Sequence, residues 1–169
     1  MQREFISKEK ASSPTMSTHA LMATCLVDTI EGRHVATTDI PGAFIQATMD
    51  DDVWIRFEGK MVNILVSIDK DLYGPCVCKY NGKTFIYAKA IKAIYGCPKS
   101  ALLFYQLFSG ELKEWGFEQN PYDACTFNKM TQGSQLTIVS HVDDCKVSHV
   151  KYQSALTLST GYGDSTPKT

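Results

Sequence analysis

The chain predicts an α+β fold organised around a split βαβ sheet of the ferredoxin-like type. Three observations carry that expectation. Two segments repeat apolar residues at helical spacing. Several short runs rich in β-branched and aromatic residues are closed by turn signals. The elements come in the order strand, helix, strand, strand, with an excursion of further strands after the first short helix. With 169 residues, 44% of them apolar, the chain is the size of one domain and long enough to bury a core.

Residues 1–15 are polar and read as a loose lead-in. From Ser17 to Glu31, Leu21, Met22, Cys25, Leu26 and Ile30 recur at helical spacing, with Ser17 or Thr18 to cap the start and Gly32 to end it. His34 to Ile40 is a short strand that delivers Asp39. Pro41-Gly42 breaks it, and Ala43 to Ala47 reads as a short helix. Asp50-Asp51-Asp52 is a loop, and Val53 to Phe57 a strand. Val77 to Tyr80 and Thr84 to Tyr87 flank Asn81-Gly82, the strongest short-range hairpin signal. Pro98 to Trp115 is the clearest helix. Ala101, Phe104, Tyr105, Phe108, Leu112 and Trp115 share a face, with Pro near the start and Gly116 past the end. Thr126 to Met130 is a strand turning at Thr131-Gln132-Gly133. Leu136 to His141 and Cys145 to Val150 form a last hairpin, with Val142-Asp143-Asp144 at or near its tip. Residues 151–169 form a polar tail. Its Gly161-Tyr162-Gly163 is too short and isolated for a phosphate loop.

The net charge of −1 excludes a chain that is basic throughout and binds nucleic acid by bulk charge. It conceals a local block. Between Leu72 and Gly110 there are Lys79, Lys83, Lys89, Lys92 and Lys99 and no acid, while Asp50-Asp51-Asp52 and Asp143-Asp144 are negative. Taken alone, the lysines read as a solvated face. The N-terminus shows no signal-peptide pattern, and no apolar run approaches the ~18 residues that span a bilayer. An intracellular, cytoplasmic setting is expected, with the six scattered cysteines as small buried hydrophobes. Cys76-Val77-Cys78 lacks the second pair a zinc site needs.

The chemistry lies in the acids. Asp39 closes one strand-like run and Asp143-Asp144 another. Adjacent carboxylates repel, and a divalent cation removes that cost. Three carboxylates from distant segments make a hard, oxygen-rich site suited to Mg²⁺, the working part of enzymes that transfer phosphoryl or nucleotidyl groups with two metals. Taken singly, Asp39 reads as a helix cap before Pro41-Gly42, and Asp143-Asp144 as a polar turn.

Five segments occur in order: Asp39-Ile40-Pro41-Gly42-Ala43-Phe44, Lys92-Ala93-Ile94-Tyr95-Gly96, Trp115-Gly116-Phe117, Pro121-Tyr122-Asp123-Ala124-Cys125 and His141-Val142-Asp143-Asp144. Together, over Ser13 to Val150, they resemble a copia-type retrotransposon reverse transcriptase, an RNA-directed DNA polymerase. The resemblance implies a right-hand polymerase fingers–palm fragment. Fingers would fall at residues 1–33 and 50–92, and the palm at 34–49 and 93–150. It implies two Mg²⁺ or Mn²⁺ ions held by Asp39, Asp143, Asp144 and the Ile40 carbonyl, with Asp39 and Asp143 bridging them. It implies deoxynucleoside triphosphates and a primed RNA or DNA template as partners, and no membrane. Phe44 would lie under the sugar of the incoming nucleotide and exclude a 2′-hydroxyl. Taken alone, Phe44 reads equally as a core residue. Lys99 would meet the nucleotide, and Lys79, Lys83, Lys89 and Lys92 the template phosphates.

The chain departs from the family at three places. His141 replaces a tyrosine, Lys99 a glutamine, and Ala101-Leu102 a Pro-Arg pair. The family continues into a thumb and a ribonuclease H domain where this chain has residues 151–169. An inactive, truncated remnant that keeps the palm fold is the alternative expectation.

Overall fold

The computed structural model describes residues 12–155. Most of the polar tail, including Gly161-Tyr162-Gly163, lies outside the described residues, as do residues 1–11 of the lead-in. The helices are α1 Thr18–Ile30, α2 Ala43–Gln46, α3 Lys60–Ile68, α4 Lys70–Tyr73 and α5 Ser100–Glu114, with a 3-10 turn at Gly74–Cys76. The strands are β1 His34–Asp39, β2 Trp54–Glu58, β3 Cys78–Tyr80, β4 Lys83–Lys89, β5 Glu118–Gln119, β6 Thr126–Thr131, β7 Ser134–His141 and β8 Asp144–His149. Strands and helices mix in an α+β arrangement with two antiparallel sheets, one of order β1-β8-β7-β6-β5 and one of order β2-β4-β3. Because β1 is antiparallel to β8 and β8 to β7, β1 and β7 run the same way with β8 inserted between them. The chain between β1 and β7 carries α5.

Local chemistry sets the ends of the elements. Ser17 caps α1, its Oγ accepting from the Ala20 N–H at 3.1 Å. Helix α5 stops at Gly116, whose φ of +81° only glycine adopts at little cost. There the Phe117 N–H bonds the Leu112 carbonyl and the Gly116 N–H bonds Lys113, the double bond of a Schellman ending. Asn81 and Gly82 both have positive φ, as a two-residue hairpin turn requires, and Gln132-Gly133 repeats the device between β6 and β7. The hairpins and both long helices therefore stand where the sequence predicts them. Patterning leaves 60–76 unassigned, and the structure makes those residues α3, α4 and the 3-10 turn. Both helices are short, and in α3 only Val62 is buried.

The core lies between the large sheet and α5. Leu103, Phe104, Phe108 and Leu112 of the helix join Phe127, Leu136, Ile138 and Val147 of the sheet in one apolar cluster. Phe108 meets Phe127 edge to face at 6.2 Å. The opposite face of the sheet is polar under α1. Lys146 of β8 reaches Asp28 at 2.5 Å and the Thr24 hydroxyl at 2.9 Å, and Arg33 donates to Thr137 of β7 at 2.9 Å. The periodic apolar ridge of α1 turns outward instead, with Met22 63% and Ile30 74% exposed. A helix can thus be amphipathic in sequence and still bury its polar side. Cysteines 25, 76 and 78 are exposed rather than buried, while Cys125 and Cys145 are buried as expected. No helix among the described residues is long and apolar enough to cross a membrane.

Candidate active site

The three acids meet at one end of the large sheet. Asp39, the last residue of β1, stands opposite Asp144, the first of β8. The Ile40 N–H then donates to the Asp143 carbonyl at 2.9 Å. Cross-strand neighbours of this kind put their side chains on the same face of a sheet. The β7–β8 connection has two central residues, Val142 and Asp143, and Val142 adopts a φ of +59°. A β-branched residue is rarely found there, and such backbone strain costs on the order of 1–3 kcal/mol. The strain is sustained by pairing on both sides: β8 is bonded to β7 and to β1 up to the turn.

Asp39 and Asp144 are exposed and open onto a cleft of about 370 Å³, lined also by Met16, Thr38, His141 and Lys146. The buried Cys145 thiol beneath them registers their combined field. Burial first, then the charges of Asp144, Asp143 and Asp39, pushes its pKa up to about 12. Cys125 is likewise held at about 11, chiefly by burial. Neither thiol is a nucleophile at neutral pH.

Asp143 has a further partner. The Tyr95 hydroxyl donates to its Oδ2 at 3.1 Å. Desolvation, that hydrogen bond and the charges of Asp143 and Asp39 raise the phenol's pKa. The Tyr95 ring lies on Phe44, centroids 4.3 Å apart. Phe44 is buried at 8% exposure, with Phe104 edge-on behind it at 6.2 Å. Tyr95 thus links Phe44 to Asp143.

The donor set suits a hard divalent cation, being carboxylates and a backbone carbonyl with no sulfur or imidazole needed. Ile40 already accepts from the Ala43 N–H at 3.2 Å, and a carbonyl oxygen has a second lone pair. Among the described residues no three acidic, histidine or cysteine side chains are gathered closely enough to hold a metal. The backbones converge, and one of the three carboxylates is engaged by Tyr95.

The lysines divide. Lys79 and Lys83 are exposed on the small hairpin. Lys99, Lys89 and Lys92 all have partners. Lys99 bridges Asp50 at 2.6 Å and Asp51 at 3.1 Å with its side chain 19% exposed. Asp50 foremost, then Asp51, raises its pKa against the opposing effect of burial. Lys89 pairs with Asp52 at 2.5 Å, and Lys92 donates to the Gln46 carbonyl at 2.9 Å. Lys89 and Lys99 thus neutralise the Asp50-Asp51-Asp52 loop, while Lys92 is held by a carbonyl.

Compared with protein-family models, with curated proteins and with solved structures, the chain matches none. The site must be judged on its own geometry. By that measure two features escape sequence reasoning. Tyr95 sits inside the Lys92–Gly96 segment with no local mark of its contact to Asp143. The Asp50–Lys99 and Asp28–Lys146 pairs join residues far apart in the chain, which no periodicity reveals.

Proposed function

We propose that this chain carries the fingers–palm part of an RNA-directed DNA polymerase of the copia retrotransposon type, with nucleotidyl transfer to a primer 3′-hydroxyl at Asp39, Asp143 and Asp144. The observation that supports it is the convergence of these acids at one sheet end, with Asp39 opposite Asp144 and Ile40 bonded to Asp143. An α+β arrangement with β8 inserted between β1 and β7 is compatible with a ferredoxin-like palm. Asp39, Asp143, Asp144 and the Ile40 carbonyl would hold Mg²⁺ or Mn²⁺. Bound ions supply a more acidic 3′-hydroxyl and neutralise charge on the triphosphate. The chain's own part is to position. The buried Phe44 would bound the sugar, and the exposed Lys79 and Lys83 would meet template phosphate. Lys89, Lys92 and Lys99 would first have to leave their partners.

The inactive remnant is the second reading. Two observations favour it: the Lys99 charge is taken up by Asp50 and Asp51, and no three-carboxylate group is assembled among the described residues.

Primer extension on poly(rA)/oligo(dT) with dTTP and Mn²⁺, comparing the parent with Asp143→Asn, decides between them. The polymerase reading expects synthesis by the parent and loss of at least about a hundredfold in the variant. Equal synthesis by both would discard the metal assignment. No synthesis by folded parent protein would favour the remnant.

A further inference from the structure

Tyr95 lies where the two halves of the candidate site meet. Its hydroxyl holds Asp143 Oδ2 at 3.1 Å, and its ring covers Phe44 at 4.3 Å. It is nonetheless 61% exposed, so its outer side faces solvent. The backbone around it is pinned. The Ile94 carbonyl accepts from the hydroxyl of the buried Ser100 at 2.7 Å and from the Cys97 N–H at 3.3 Å, and the Ser100 N–H bonds Cys97 at 3.2 Å. Motion of Tyr95 is therefore a side-chain rotation, needing no loop to open. One rotation would free the carboxylate and uncover Phe44 together.

We propose that Tyr95 gates this site. It closes on Asp143 and Phe44 in the metal-free protein and turns outward when Asp143 takes up a divalent cation. This rests on the metal-site reading of the three acids. A phenolic proton and a cation compete for the same carboxylate oxygen, because each presents positive charge to it. While the hydrogen bond is made, the three carboxylates are not gathered. The opposite role is physically reasonable as well, since hydrogen bonds from outer groups commonly orient metal-ligating carboxylates. The two roles differ in sign. A gate weakens cation binding, and an orienting donor strengthens it.

The test is a Mn²⁺ titration of the parent, Tyr95→Phe and Asp143→Asn, following free Mn²⁺ by its paramagnetic resonance signal, with thermal melts of each protein without metal. Tyr95→Phe keeps the ring on Phe44 and removes only the hydroxyl. The gate predicts that it binds Mn²⁺ about threefold to tenfold more tightly than the parent. Its metal-free melting temperature should be unchanged or slightly lower. Binding by Tyr95→Phe where the parent shows none also supports the gate. Equal or weaker binding by Tyr95→Phe, with parent binding abolished in Asp143→Asn, overturns the gate and leaves the metal site standing. If neither parent nor Tyr95→Phe binds, the metal reading falls and the gate with it.

Discussion

The two sheets differ in what holds them. The five-stranded sheet is covered on both sides, by the aromatic face of α5 on one and by the polar side of α1 on the other. Among residues 54–89, which contain the three-stranded sheet with α3 and α4, only Val62 and Ile86 are buried hydrophobics. Met61, Ile64, Ile68 and Leu72 are about half exposed or more, and so are Trp54 and Tyr80. The small sheet owes its shape to the Asn81-Gly82 turn, to its ladder, which the Ala90 N–H prolongs to the Val53 carbonyl, and to backbone bonds that tether it to the rest, such as Ala93 to Ala47. The large sheet also contains local hairpins, β6–β7 and β7–β8, but its β1 is paired with β8 from far along the chain. A hairpin such as β3–β4 can thus be specified locally, whereas a site assembled from Asp39 and Asp144 needs pairing between distant segments.

The sharpest way to break this comparison is to remove one ring from each region. Phe127→Ala, at a fully buried position in the large sheet, should cost about 3–5 kcal/mol in urea unfolding. Trp54→Ala, at a 60% exposed position, should stay within about 0.5 kcal/mol. Similar losses would mean that the small sheet is held by packing after all.

The polar seam under α1 gives the next test. Asp28 is buried and Lys146 partly buried, at 8% and 13% side-chain exposure. Neither Asp28 oxygen receives a well-directed hydrogen bond, although the ammonium is 2.5 Å away. Lys146→Met strands a buried carboxylate and should cost about 3 kcal/mol, most of it recovered by adding Asp28→Leu. A double variant as unstable as the single one would show that the seam is not electrostatic.

The smallest effect concerns Asp123, which ties the start of α1 to the loop before β6. Burial alone would raise its pKa. Donation from the Ser17 and Cys125 N–H groups and the Thr126 hydroxyl outweighs that and holds it below the usual carboxylate range. A depressed folded pKa means stability that is full above the unfolded value, ~3.9, and is lost as pH falls through the folded one. Asp123→Asn should cost about 1–2 kcal/mol at pH 7. The difference from the parent should shrink in urea melts taken below about pH 4. A difference independent of pH would exclude the charge as the cause.

Much of the fold is legible without coordinates. Ser17 and Gly32 bracket α1, Pro98 and Gly116 bracket α5, and Asn81-Gly82 places a hairpin, because each is a backbone preference acting over a few residues. The direction in which α1 faces is not legible. Its Met22, Leu26 and Ile30 form a regular ridge, yet the buried residue is Asp28, chosen by Lys146 on a strand far along the chain. Lys99 is a similar case. It belongs to a run of lysines without acids, and the fold sets it against Asp50 and Asp51.

By itself, then, the sequence determined the turns, the two long helices and the presence of acids at strand ends. Tertiary structure alone decided that Asp39 faces Asp144, that Tyr95 holds Asp143 while lying on Phe44, and that three of the five clustered lysines have partners. The physical reason is range. Turn and helix preferences act within a few residues, whereas partners across a sheet depend on register, and a slip of one residue turns every side chain to the other face.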